Sequence, residues 1–266
     1  MNRIEKTYAD LKAAGRAAFN VYLCAGDPDL ETTRELIPAL EGAGVDMIEL
    51  GMPFSDPIAD GPVIQAAGQR SLERGTTLPK VLDLVAEARA QSEIPIALMT
   101  YYNILYKFGV ERFVNEASSA GIDGVIVPDL IAEEADELIA LARQAGLATI
   151  FFVAPTSTDE RIEMADRAST GFIYCVSVTG ITGARDELPD DLRAYLLHVR
   201  SKTSTPIVVG FGVSKREQVR ALSEVADGII VGSAVVREIE SASQLPRGEL
   251  VRKVAAFAGN LAQGVH

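Results

Sequence analysis

Histidine is almost missing from this chain: its 266 residues include only His198 and His266. A Ser-His-Asp or Cys-His site would have to use one of them, and neither is well placed. His198 falls in a helical stretch and His266 is the last residue. Cysteine is limited to Cys24 and Cys175, far apart and without a CxxC spacing. That fits a reduced compartment and argues against a zinc site. None of the seven lysines ends an apolar run, so a Schiff base is not expected. No His/Asp/Glu cluster suggests a metal, and no GxxxxGK(S/T) motif marks a nucleotide site. No apolar run approaches the roughly 18–20 residues of a membrane span. The N-terminal MNRIEKTYADLKAAG reads as a charged amphipathic helix, not a signal peptide, so a cytoplasmic protein is expected. A formal net charge of −12 speaks against nucleic acid and anionic membranes as partners.

What is present is a repeat of short apolar runs. They are 18–25, 46–51, 94–101, 123–129, 147–154, 171–177, 205–212 and 227–233. Near-continuous runs of this length suit parallel strands covered on both faces. Amphipathic helical patterns fill the gaps at 31–43, 62–90, 109–120, 132–145, 158–169, 189–202 and 214–224, and two further pieces follow at 234–240 and 247–262. Strict alternation implies a parallel sheet, and eight units imply closure into an α/β (β/α)8 TIM barrel with an extra N-terminal helix and a short extra helix after strand eight. A doubly wound open sheet is the structural alternative. No linker or low-complexity segment interrupts residues 1–266, which are expected to form one domain.

Barrel active sites lie where the strands end. After the sixth run comes a glycine-bearing loop that includes Thr182 and Gly183. The seventh ends in Gly210-Phe211-Gly212, and the eighth in Gly232-Ser233, where a helix begins. Backbone N–H groups at such loops and helix starts attract phosphate. Turn glycines, and Ser233 as a plain helix cap, are the alternative reading.

In the second run alternation puts Met47, Glu49 and Gly51 on one face and Ile48 and Leu50 on the other, so Glu49 points into the barrel near its rim. A buried carboxylate is costly unless it is paired or used. Asp60 sits in the proline-stiffened loop that follows, where it serves either chemistry or a turn or helix cap. Acid–base chemistry by carboxylates on a phosphorylated substrate is what these exclusions leave. Tyr22, Met99, Tyr101, Phe152, Tyr174 and Phe211 would surround the acids with a flat apolar mouth, or else pack the barrel.

The segments Glu49–Pro57 (ELGMPFSDP) and Ala59–Pro62 (ADGP) resemble the signature of the tryptophan synthase alpha chain family. So do Ala25–Pro28, Met99–Asn103, Ala154–Thr158, Gly180–Arg185, Gly210–Val213 and Val231–Ala234, in order along nearly the whole chain. The resemblance implies a lyase that cleaves indole-3-glycerol phosphate to indole and glyceraldehyde 3-phosphate. It implies Glu49 as the general acid–base and Asp60 as the group that holds the indole N–H. Tyr22, Met99 and Tyr174 would line the site, with Phe211 on the indole side. Gly183, Gly212 and Ser233 would take the phosphate, and the loop 178–190 would be a lid that brings Thr182 onto Asp60. It also implies a beta-chain partner in an alpha2-beta2 complex, meeting this chain around Asp56 and Pro57. Pyridoxal phosphate would belong to that partner, with no cofactor in this chain. The chain departs from the family pattern at Val21, Cys24, Ile104 and Ile131. Another phosphate-binding barrel isomerase or epimerase, or a mainly activating partner of a beta chain, are the alternative functions.

Overall fold

Every one of the eight apolar runs forms a parallel strand in the computed structural model, which describes residues 2–176, 189–210 and 212–265. In chain order the elements are α1 (Arg3–Ala13), β1 (Ala18–Cys24), α2 (Leu30–Gly42), β2 (Met47–Gly51), α3 (Pro62–Glu73), α4 (Leu78–Ala88), β3 (Ile96–Met99), α5 (Tyr102–Phe108), α6 (Val110–Ala120) and β4 (Gly124–Ile126). They continue with α7 (Asp136–Ala145), β5 (Ala148–Val153), α8 (Asp159–Ala168), β6 (Ile173–Val176), α9 (Asp190–Lys202), β7 (Ile207–Gly210), α10 (Arg216–Ser223), β8 (Gly228–Val231), α11 (Ser233–Ala242) and α12 (Arg247–Ala262). Each strand pairs with the next, and β1 pairs with β8, so the barrel closes.

Side-chain alternation sorts the strands into two apolar layers. Phe19, Val21, Leu23, Ile48, Leu50, Ile96 and Leu98 face outward and pack under the helices. Ala18, Tyr22, Met47, Ala97, Ile126, Ile150, Val208 and Ile230 face inward. Helix α1 closes the N-terminal end of the barrel with Ile4, Tyr8 and Leu11, and the Tyr8 ring lies 5.6 Å from that of Phe172. Its start is fixed by a capping box in which Asn2 Oδ1 accepts the Glu5 N–H and Glu5 accepts the Asn2 N–H.

The same N-terminal end carries polar clamps between neighbouring strands. Asp46 accepts the Phe19 N–H and both arms of Arg16. Asp123 accepts the Ile96 N–H, Arg89 and Arg3. Asp227 accepts the Ile207 N–H and Arg200. Between β5 and β6 the hydroxyls of Ser169 and Thr170 take the Phe151 and Thr149 N–H groups instead. One clamp thus joins each odd strand to the even strand after it.

Several boundaries differ from the sequence reading. The expected helix 62–90 is two helices: Gly75 turns the chain at φ +74°, and Thr77 is extended before Leu78-Pro79 opens α4. Helix α5 was unanticipated because seven residues are too few to show a period, and Gly109 at φ +95° separates it from α6. The pattern at 132–145 begins with a 3-10 turn, Ala132–Glu134, before α7. Helix α11 runs longer than 234–240. Among the described residues, no helix is long and apolar enough to cross a membrane.

Candidate active site

Glu49 stands on the inward face of β2, and its side chain is buried, at 1% exposure. The Tyr174 hydroxyl from β6, across the barrel, donates to its Oε2 at 3.3 Å. Burial pushes the Glu49 carboxyl up to about 8; the negative charge of Asp60 adds to that, and the Tyr174 hydrogen bond works against it. Glu49 is therefore mostly protonated at neutral pH. The Tyr174 phenol is itself raised well above its usual value, by burial first and by Glu49 second, so it stays a donor.

Asp60 stands in the loop that joins β2 to α3. It does not cap α3; Gly61 occupies the cap, without a side-chain hydrogen bond, and Pro62 opens the helix. The Tyr101 hydroxyl donates to Asp60 Oδ2 at 3.1 Å and accepts the Ala59 N–H at 3.0 Å. Gln65 Nε2 holds the Asp60 carbonyl at 2.8 Å, and Phe54 stacks on the Tyr101 ring at 4.9 Å. Burial raises the Asp60 carboxyl, and the Tyr101 bond opposes the shift.

Both acids open onto a cavity of about 500 Å³ at the C-terminal end of the barrel. Tyr22, Ile64, Met99, Pro128, Phe152 and Tyr174 supply apolar walls, and Phe152 packs on Tyr174 at 4.7 Å. Glycine makes the room: a methyl group on Gly51 would overlap the Tyr22 hydroxyl, and one on Gly210 would overlap that of Tyr174. The far edge is formed by Gly210, Gly212, Gly232 and Ser233. Gly232 occupies the cap of α11, so Ser233 is the first helical residue and not a plain cap. The N–H groups of that first turn have no acceptor within the helix, so they and the helix dipole suit an anion.

The structure thus brings Glu49, Asp60, Tyr22, Met99, Tyr174, Gly212, Gly232 and Ser233 around one cavity. Tyr101 is different from the sequence reading: it is buried behind the cavity and reaches it only through Asp60. Thr182, Gly183 and Phe211, and nearly all of the expected lid 178–190, lie outside the described residues. Ile64 and Pro128 were missed. Pro128 could have been found by its place just after the fourth apolar run, and Ile64 by its place in the first turn after Asp60. His198 is on the outer surface, against Asp159. Burial raises the thiols of both Cys24 and Cys175, which keeps them un-ionised. Among the described residues, no group of three or more His, Cys, Asp or Glu side chains could hold a metal ion.

The family model described as tryptophan synthase alpha chain matches residues 8–266. The tryptophan synthase alpha chain of Geotalea daltonii is 48% identical over 265 residues, covering 100% of this chain and 99% of the relative. That of Caldanaerobacter subterraneus subsp. tengcongensis is 46% identical over 98% of each chain. Among solved structures, tryptophan synthase subunit alpha from Legionella pneumophila str. Paris superimposes with a TM-score of 0.92 at 35% identity, covering 100% of this chain and 98% of that one. With a family match of that extent and a shared barrel, the chain belongs to the tryptophan synthase alpha chain family.

Proposed function

We propose that this chain catalyses the alpha reaction of tryptophan synthase in L-tryptophan biosynthesis, the lyase cleavage of indole-3-glycerol phosphate to indole and glyceraldehyde 3-phosphate. The observation that carries the reading is Glu49, a buried carboxyl that holds its proton at neutral pH beside a cavity with an anion-binding far edge. Residues 1–266 act as one domain.

The proton balance closes on this single group. Glu49 gives its proton to C3 of the indole ring, which leaves a positive charge on the ring nitrogen. Asp60, as a carboxylate, holds that N–H and stabilises the cation. Glu49, now ionised, takes the proton of the hydroxyl on the glycerol carbon next to the ring. The carbon–carbon bond then breaks, its electron pair neutralises the ring, and the new carbonyl leaves as the aldehyde. Glu49 ends protonated, as it began. Tyr22, Met99 and Tyr174 flank the ring, while Gly212, Gly232 and Ser233 hold the phosphate. The family resemblance adds Thr182, Gly183 and Phe211 to the site.

The chain works in the cytoplasm with a pyridoxal-phosphate-dependent beta chain, as an alpha2-beta2 hetero-tetramer, and needs no cofactor of its own. Support for a docking face comes from Ile58, Tyr106 and Ile131, large apolar side chains left exposed on the loops and helix after β2, β3 and β4; Ile58 directly follows Pro57.

Adding indole-3-glycerol phosphate, with and without a beta chain, and measuring indole tests the function directly. Indole release, faster with the partner, is expected. No indole under either condition, or turnover of a pentose phosphate instead, refutes it.

Tyr101→Phe tests the role of the second acid. The variant removes the Tyr101 hydroxyl that donates to Asp60 Oδ2, and a hydrogen bond to a charged group contributes about 1.5–3 kcal/mol, so kcat/KM should fall by roughly 10–100-fold. An unchanged kcat/KM means that Tyr101 does not hold Asp60 in the working enzyme.

A further inference from the structure

Arg70, in the second half of α3, does not line the cavity, yet its guanidinium joins three segments that build it. Nε and Nη2 donate to the two carboxylate oxygens of Asp27, at 2.8 and 2.9 Å, and Nη1 donates to Glu240 Oε1 at 2.9 Å. Asp27 follows β1 and is 2% exposed; Glu240 is near the end of α11 and half exposed. The next residue, Ser71, donates its hydroxyl to the Ala25 carbonyl at 2.6 Å, which pins the same part of α3 to the same loop.

The two helices so joined carry opposite ends of the cavity. Helix α3 continues directly from Asp60 and Gly61, and α11 begins at Ser233. They pack on each other, and Ala67 and Val236 belong to one apolar cluster, but Ala67 offers only a methyl group to that contact. Apolar packing between small side chains is non-directional and leaves sliding easy. A bidentate Arg–carboxylate pair fixes both distance and angle. The cation also lies by the last turn of α11, where the helix dipole favours positive charge.

We propose that Arg70 is a positioning residue for the lyase reaction: with Asp27 and Glu240 it sets the separation between Asp60 and the phosphate-binding start of α11. The proposal rests on the function given above. A substrate with its ring at Asp60 and its phosphate at Ser233 must reach both at once, so a shift of α3 against α11 costs the whole substrate more than either half. A misplacement of about 1 Å is enough for a loss of order 10²-fold.

The test compares whole substrate with its halves. Indole and glycerol 3-phosphate each touch one end of the cavity, and their inhibition constants are measured beside kcat and KM for indole-3-glycerol phosphate, with the beta chain present. Arg70→Lys keeps the charge and loses the fork. It should lower kcat/KM for the whole substrate about 10–100-fold while both inhibition constants stay within about twofold, because each half still docks. Glu240→Ala cuts only the α11 arm at a half-exposed site and should move kcat/KM in the same direction by a smaller factor. A purely structural role predicts a lower Tm with kcat/KM per folded molecule unchanged, or halves weakened as much as the whole, and either result overturns the proposal. Should Arg70→Lys fail to fold, unchanged kinetics in Glu240→Ala overturn it alone. A wild type that releases no indole contradicts the lyase reading; an active wild type matched by both variants contradicts the clamp.

Discussion

Glu49→Gln folds as the wild type does and loses about 10²–10⁴-fold or more in indole release. The substitution is nearly isosteric and keeps an acceptor for the Tyr174 hydroxyl, so packing around the site is preserved. What disappears is a group that can first give and then take a proton. No other described side chain is placed to replace it: Asp60 is engaged by Tyr101 in the loop after β2, and His198 is on the outer surface. Near-full activity in this variant would sink the assignment of Glu49. In the wild type, kcat/KM should fall as pH rises through about 8, because the first step needs the protonated carboxyl.

The same variant has a signature in stability. The folded-state carboxyl of Glu49 is raised from 4.5 to about 8, so the native protein binds this proton more tightly than the unfolded chain. The resulting stability is fully present below pH 4.5 and is lost as pH rises through about 8. Glutamine never ionises and escapes the loss. Glu49→Gln should therefore match the wild type in acid and become the more stable protein above neutral pH, by an amount on the order of a few kcal/mol. Urea denaturation of both proteins at acid and mildly alkaline pH reads this directly, and a difference independent of pH would contradict it.

Asp123→Ala should be the most damaging substitution at the opposite end of the barrel, at about 3–5 kcal/mol. Its side chain is 4% exposed and accepts from Arg89, 12% exposed, and from the Ile96 N–H that starts β3. Removing it strands a buried cation and an unpaired backbone donor. The remaining hydrogen-bond acceptors of Arg89, the carbonyls of Gly121, Ser92 and Ile94, are neutral. Arg3 also reaches Asp123, but at 39% exposure Arg3→Ala should cost no more than about 1 kcal/mol, the range of a solvated pair. Activity per folded molecule should survive in both, since this face of a barrel serves stability rather than chemistry. Chemical denaturation that finds Asp123→Ala within 1 kcal/mol of the wild type would refute the clamp, by the scale expected for breaking a buried pair.

The parts of the site that were legible share a physical origin in local pattern. Glu49 was placed inward by alternation within β2, and Gly232 and Ser233 were placed at the rim because an apolar run stops there. The parts that were not legible depend on residues far apart in the chain. Tyr101 meets Asp60 across 41 positions, and Tyr174 meets Glu49 across 125. The sequence pattern alone could not show that one tyrosine lines the cavity while the other stands behind it. The break in 62–90 was missed because the apolar period continues on both sides of Gly75, whose positive φ turns the helix axis without disturbing the composition.

By itself the sequence determined the order of eight strands, which face of each is inside, and which two acids and which glycines lie at the rim. Those properties follow from periods of two and 3.6 residues, and such periods are local. Only the tertiary structure decided what the acids are chemically. The proton on Glu49 is held by desolvation, which exists only once eight strands close around the carboxyl and exclude water from it. The separation of Asp60 from the start of α11 is likewise set by Arg70, which joins α3 to the loop after β1 and to α11, a contact between segments that chain order keeps far apart.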